Sequence, residues 1–382
     1  MFFSKYVLLF KIYLPNFVFN LNITTSHISQ TVKFNFQKDV ACSQMTLPVI
    51  GAFSLLLWYA LPIGNVQDAY SSTDYGIWKY LPSSITHNGW TREISLILCA
   101  LSVYLMAELN NANMLLRVSS RMLSSMLALI LGISLNCHHL QPGHVLMLLS
   151  MMSFFPLFAC YRQPSPKHVC MSFILISLSS FVFPHMIWAT VIYWILLGVM
   201  RAFTFRCFVA SILAILLPYW IAAGVAVPLD YYEPLLLHLR QMTTFTSIGN
   251  CSGIDISTAS IAILTVLMFF SGSIDFNINR LLDRTRTRST LNAVFIHGCT
   301  IIIAMALQPQ HITVLQPVLL IDTAILFGHF FTLTHTRFSH IFMIAVLALA
   351  IISVMLQCST ICQDALHLTR QLFSNITEAW FD

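Results

Sequence analysis

The residue with the strongest claim to chemistry is Asp322, which lies about ten residues into an apolar run from Ile312 to Leu333. At roughly 1.5 Å of rise per residue, that places it near the middle of a helical run. A charged acid at the centre of a spanning helix costs about 2.5 to 3.5 kcal/mol to insert, so an acid at that depth is a functional hypothesis by default. His311 precedes it and His329 follows it on the same run. At about 100 degrees per residue, all three fall within roughly 20 degrees of one line. This stripe predicts a proton relay. The plainer reading is a protonated Asp322 that bonds a neighbouring helix and serves packing alone.

Two further constellations carry possible chemistry. Arg117 and Arg121 stand one helical turn apart, and Arg284 and Arg288 repeat the arrangement. Guanidinium pairs at a membrane surface grip lipid phosphates or a pyrophosphate head group, although the same residues also serve simply to orient helix ends. Asp68 and Asp74 lie in a polar stretch with Tyr70, Tyr75, Trp78 and Trp90. A carboxylate there is a candidate general base toward an acceptor hydroxyl, whereas the aromatic residues also fit as interfacial anchors. Six histidines, at 138, 139, 144, 185, 238 and 311, fall near one surface, and only His335 with His340 approaches the spacing of a metal-binding box. No metal site and no cofactor is expected. The ten cysteines lie mostly inside apolar runs, as Cys99, Cys160, Cys170, Cys207 and Cys299 do, and read as small buried residues.

These residues must be positioned by a membrane-embedded scaffold. The chain is 57% apolar and only 9% charged, against about 25% charged in a soluble domain. Lipid forbids unpaired backbone groups, so long apolar runs that do not alternate in polarity predict helices rather than a barrel. The expected fold is all-α, a polytopic bundle of about eleven transmembrane helices. The runs are Leu47 to Ile63, Ile94 to Leu109, Met122 to Asn136, His144 to Tyr161, Val169 to Phe183, Ile187 to Met200, Cys207 to Val227, Ile254 to Gly272, Leu291 to Leu307, Ile312 to Leu333 and Phe338 to Gln357. Residues 1–44 hold four of the six lysines and read as an N-terminal extension, interfacial or mis-started. Residues 45–357 form the bundle, and 358–382 a short outer tail.

Basic residues sort by loop. The N-terminal lysines, Arg117, Arg121, Arg162, Lys167, Arg201, Arg206, Arg280 to Arg288 and Arg337 fall in alternate connections, leaving Lys79, Arg92, Arg240 and Arg370 on the other side. Positively charged loops stay in the cytoplasm, so the N-terminus is expected inside and the C-terminus in the periplasm. Dispersed in this way, the net charge of +5 reports orientation and not a nucleic-acid partner. Membrane lipids are the expected partners.

An internal match at an offset of 167 residues pairs Asn110, Leu115, Arg117 and Arg121 with Asn277, Leu282, Arg284 and Arg288. It continues with Leu140-Gln141-Pro142 and His144 against Leu307-Gln308-Pro309 and His311. An offset of six helices preserves orientation, so residues 94–183 and 261–350 predict a parallel repeat, as in transporter halves related by an axis along the membrane normal.

Glu108-Leu-Asn-Asn-Ala-Asn113 with Arg117, then Phe183-Pro184-His185 and Leu216-Leu-Pro218-Tyr219, form an order of features that resembles a family of uncharacterised multi-pass inner-membrane proteins of Bacteroidota. The resemblance covers roughly residues 47 to 333. It implies an inner-membrane location and no particular reaction. Separately, Asp68-Ala-Tyr70 in the first outer loop resembles the polyprenyl-linked glycosyltransferases of the membrane. Three functions follow as expectations. The repeat and the Asp322 stripe favour proton-linked transport or lipid translocation in the cell envelope. Asp68 and Asp74 favour an envelope glycosyltransferase with that loop as active site, and a scaffold for an envelope complex is the third.

Overall fold

The protein is described from a computed structural model that covers residues 43, 45–61, 78, 90–116, 120–230, 232–245, 256–334, 339 and 342–359. All of these belong to one unit, residues 37–382. The extension before residue 43 and the tail after 359 lie outside the described residues.

Among the described residues there is no strand, and twelve α-helices account for the structure. They are α1 Thr46–Ala60, α2 Thr91–Asn113, α3 Met122–Ile133, α4 Pro142–Ala159, α5 Pro166–Val182, α6 Ala189–Val199, α7 Phe205–Ala226, α8 Glu233–Gln241, α9 Ile256–Asn279, α10 Thr285–Leu307, α11 Ile312–Leu333 and α12 Phe342–Ser359. Seven of the helical segments are long and apolar enough to cross a membrane: α2, α4, α7, α9 and α10 to α12. The other apolar helices, α1, α3, α5 and α6, are shorter, and α6 gains an added 3-10 turn, Pro184–Trp188. Each expected apolar run thus contains one helix.

Differences from the expected boundaries have local causes. Helix α10 begins at Thr285, well before Leu291, because its first turns carry Arg286 and Arg288 outward as a polar extension of an apolar helix. Helix α2 runs on to Asn113 and ends where Met114 adopts a left-handed conformation, φ 47. Helix α8 was not anticipated, since Glu233, His238 and Arg240 make its segment too polar to read as a span.

The core is built around α11. It packs against α3, α4, α9 and α10, and from Val314 to Thr332 every residue is buried. A helix that is apolar on all sides belongs in the centre of a bundle. The peripheral α7 contrasts with it, exposing Leu213, Leu216, Trp220 and Ile221 along its length, as a helix facing lipid tails does. Close approach to α11 depends on small residues, because packing in a membrane has no hydrophobic drive of its own. A Cβ added to Gly272 of α9 would lie 2.6 Å from the backbone carbon of Leu326, and one added to Gly298 of α10 would lie 3.1 Å from Cβ of Asp322.

The segments matched at an offset of 167 residues begin their helices alike. In both Leu-Gln-Pro-x-His sequences the proline opens a helical turn, and the histidine backbone N–H donates to the glutamine carbonyl, at 3.1 Å for His144 to Gln141 and 3.0 Å for His311 to Gln308. The rings then diverge. His144 meets Ser95 Oγ at 3.2 Å and the Cys137 carbonyl at 3.0 Å, while His311 faces the rings of Phe183 and His185.

Candidate functional site

Asp322 is fully buried at the middle of α11, and its Oδ2 lies 2.8 Å from Nδ1 of His297 on α10. The two helices bring them together because Gly298, next to His297, has no side chain. A Cβ there would come within 3.1 Å of Asp322 Cβ. Around the pair the walls are aromatic. The Phe154 ring of α4 meets the His297 ring edge-on at 5.1 Å, and that of Tyr193 of α6 at 6.0 Å. Tyr193 in turn shares a 2.5 Å hydrogen bond with Ser153 of α4. Four helices therefore enclose one polar spot in an apolar core.

The pair is incompletely satisfied. Asp322 Oδ1 and His297 Nε2 are buried without a hydrogen-bond partner, as is Oγ1 of the adjacent Thr323. Buried polar atoms of this kind normally have partners, and exceptions point to a catalytic role or to water. An Asp–His pair carries a proton without net charge in two ways, as imidazolium with carboxylate or as imidazole with carboxylic acid. Either form suits a dry interior far better than a lone carboxylate does.

The other members of the predicted stripe find different partners. His329, also buried, has Nε2 3.4 Å from Oδ2 of Asp283, beyond the end of α9, and its ring meets Phe276 edge-on. Nearby, Asp275 of α9 accepts hydrogen bonds at Oδ1 from Thr334 Oγ1 at 2.7 Å and Asn279 Nδ2 at 2.9 Å. His311 packs on Phe183 and His185 at the opposite end of α11. Eleven and seven residues of helix separate His311 and His329 from Asp322, about 16 and 10 Å along the axis at 1.5 Å per residue. Asp322 and His329 thus share α11 and His311 sits in the 3-10 turn that precedes it, but each is engaged by a neighbouring element. Direct contact along the stripe is ruled out by the rise per residue.

Among the arginines, Arg121 and Arg284 are exposed at the residues preceding α3 and α10, and Arg288 is half-buried one turn into α10. Their neighbour Arg286 donates to Asn113 Oδ1 at 3.3 Å, tying the start of α10 to the end of α2. Asn110 and Asn277 do not cap helix starts. The first donates to the Ser120 carbonyl and the second to that of Ser273. Arg117, Asp68 and Asp74 lie outside the described residues, as do His335 and His340. Of the described cysteines, Cys99, Cys137, Cys160 and Cys207 are buried, and no group of three metal-ligating side chains occurs among the described residues.

Sequence reasoning missed His297, Asp283 and Asp275 as site residues. His297 was open to discovery, being a histidine deep within the apolar run Leu291 to Leu307, the same signal that singled out Asp322. Asp283 offered no such signal, because it sits in a polar turn between two helices. No protein-family model, curated protein or solved structure matches this chain, and the geometry of the Asp322–His297 pair is what a functional reading has to stand on.

Proposed function

We propose that this chain is an inner-membrane protein of eleven spans that couples proton movement to transport or to lipid translocation in the cell envelope, with Asp322 and His297 as its proton-carrying pair. The observation that carries this reading is the 2.8 Å contact between two titratable groups at the centre of a wholly buried helix, with one unpartnered polar atom on each. Packing alone needs no titratable pair, because an apolar pair of similar size would hold the helices at least as well. His329 with Asp283 and Asp275 supplies a second group of proton-exchanging side chains nearer one end of α11. His311 stands at its other end. In this reading, protons move between these stations through water admitted as the surrounding helices shift, since no station touches the next. The N-terminus is cytoplasmic and the C-terminus periplasmic, and the two parallel half-repeats supply the parts that rock.

The test is a comparison of conservative substitutions in a strain whose growth or envelope integrity relies on this gene, with protein levels followed in parallel. Asp322→Asn keeps size and hydrogen bonding but removes titration, so it accumulates normally and loses function. A fully active Asn variant at normal levels overturns the relay and leaves Asp322 as a packing residue.

A further inference from the structure

A second group of unsatisfied polar atoms lies away from α11, where α1 ends, α2 begins and the 3-10 turn Leu135–His138 follows α3. Trp58 of α1 is buried, and its Nε1–H has no hydrogen-bond partner. The His138 ring lies against it, with centroids 4.0 Å apart. His138 Nε2 is 3.1 Å from the Gly132 carbonyl, so that nitrogen carries the proton and donates. Its Nδ1 is then a lone pair, buried and unpartnered.

Arg92, in the first turn of α2, completes the group. Its guanidinium lies 5.0 Å over the ring of Tyr59, the residue after Trp58. Its Nε and Nη2 are buried without a partner. Burial first, and then the nearby Arg92 charge, hold the His138 imidazole well below its usual range, at about 3, so the ring is neutral. Glu93, next in sequence, forms no ion pair with Arg92 among the described residues, and its own Oε2 is buried and unpartnered. Gln141 Nε2, at the start of α4, is a further buried donor without a partner.

Two unpartnered guanidinium nitrogens and an unpartnered indole N–H, with a neutral imidazole carrying a free lone pair, define their complement. We propose that this end of the bundle binds a phosphate group with a neighbouring hydroxyl, whose anionic oxygens accept from Arg92 and Trp58 and whose O–H donates to His138 Nδ1. Arginine suits this role because its planar fork matches two phosphate oxygens at once. Both a phospholipid headgroup and a free phosphate ester present this chemistry. The site shares no residue with the Asp322 pair and does not depend on that reading.

The full chain, purified in detergent, tests it by titration with dioleoylphosphatidylglycerol and with dioleoylglycerol, which lacks the phosphate, followed by native mass spectrometry. The wild type is expected to retain the phosphatidylglycerol preferentially. Trp58→Phe keeps an aromatic ring against His138 but removes one donor, and should weaken retention about tenfold, the effect of one hydrogen bond to a charged group. Arg92→Gln should weaken it further. Competition by inorganic phosphate would identify a free phosphate ester as the source of the group, and absence of competition a lipid headgroup. Equal retention of the two lipids by the wild type overturns the proposal, as does undiminished phosphatidylglycerol binding by both variants. If Arg92→Gln fails to accumulate, Trp58→Phe alone decides.

Discussion

At the scale of single residues, the buried Asp322–His297 contact makes separable predictions for stability and for function. Removing one partner strands the other, and breaking a buried pair in this way costs about 3 to 5 kcal/mol. His297→Leu and Asp322→Leu singly should therefore lower the thermal midpoint of the purified protein sharply, whereas the double variant with both should recover much of the loss, because apolar replacement of a buried pair is often neutral or stabilising. Thermal unfolding in detergent, read as a double-mutant cycle, measures this. Additive effects of the two substitutions would show that the 2.8 Å contact contributes nothing.

At the scale of elements, α11 is the axis around which the bundle closes, and its neighbours reach it through glycine. An added methyl at Gly272 would strike the Leu326 backbone, which has no flexible end to yield. Gly272→Ala is expected to cost about 1 to 3 kcal/mol, the usual range for overpacking. Gly224→Ala on α7 provides the comparison, since nothing lies within 4 Å of the added atom there and alanine favours a helix by about 1 kcal/mol over glycine. The thermal midpoint should fall for the first and hold or rise for the second. Equal midpoints would mean that α9 does not approach α11 as closely as described.

At the scale of the whole molecule, the distribution of basic residues predicts the path of the chain through the membrane. Reporters fused after Arg162, Arg201 and Arg288 should be active as cytoplasmic fusions, and those after Asp230 and Gln308 as periplasmic ones. The opposite pattern would invert the orientation proposed above. The proposed repeat adds an asymmetry to this picture. At the 167-residue offset, Asp322 corresponds to Phe155 and His297 to Ile130, so the pair proposed to carry protons belongs to the second segment alone. Symmetry would then serve movement, and the departure from it the chemistry. Replacing Ile130 by His and Phe155 by Asp should not rescue the Asp322→Asn variant in the growth assay, because Phe155 is only partly buried on α4, whereas Asp322 sits on a stretch of α11 buried at every position.

The sequence by itself determined the helical class and the approximate location of every apolar helix, because lipid leaves the backbone no other way to satisfy its hydrogen bonds. It also determined that Asp322 required explanation, since its depth follows from position along a run and rise per residue alone. Partners were another matter. His297 joins Asp322 from a different helix, and Asp283 reaches His329 from a turn 46 residues away in the chain. Periodicity orders residues along one helix and is silent about which face meets which neighbour. That is why a stripe of three residues along α11 and the turn before it was legible, while its division into separate contacts was decided by tertiary packing. The same holds for Trp58, Arg92 and His138, which come from three elements and share no motif. Only the close packing that buries them together exposed what each still lacks.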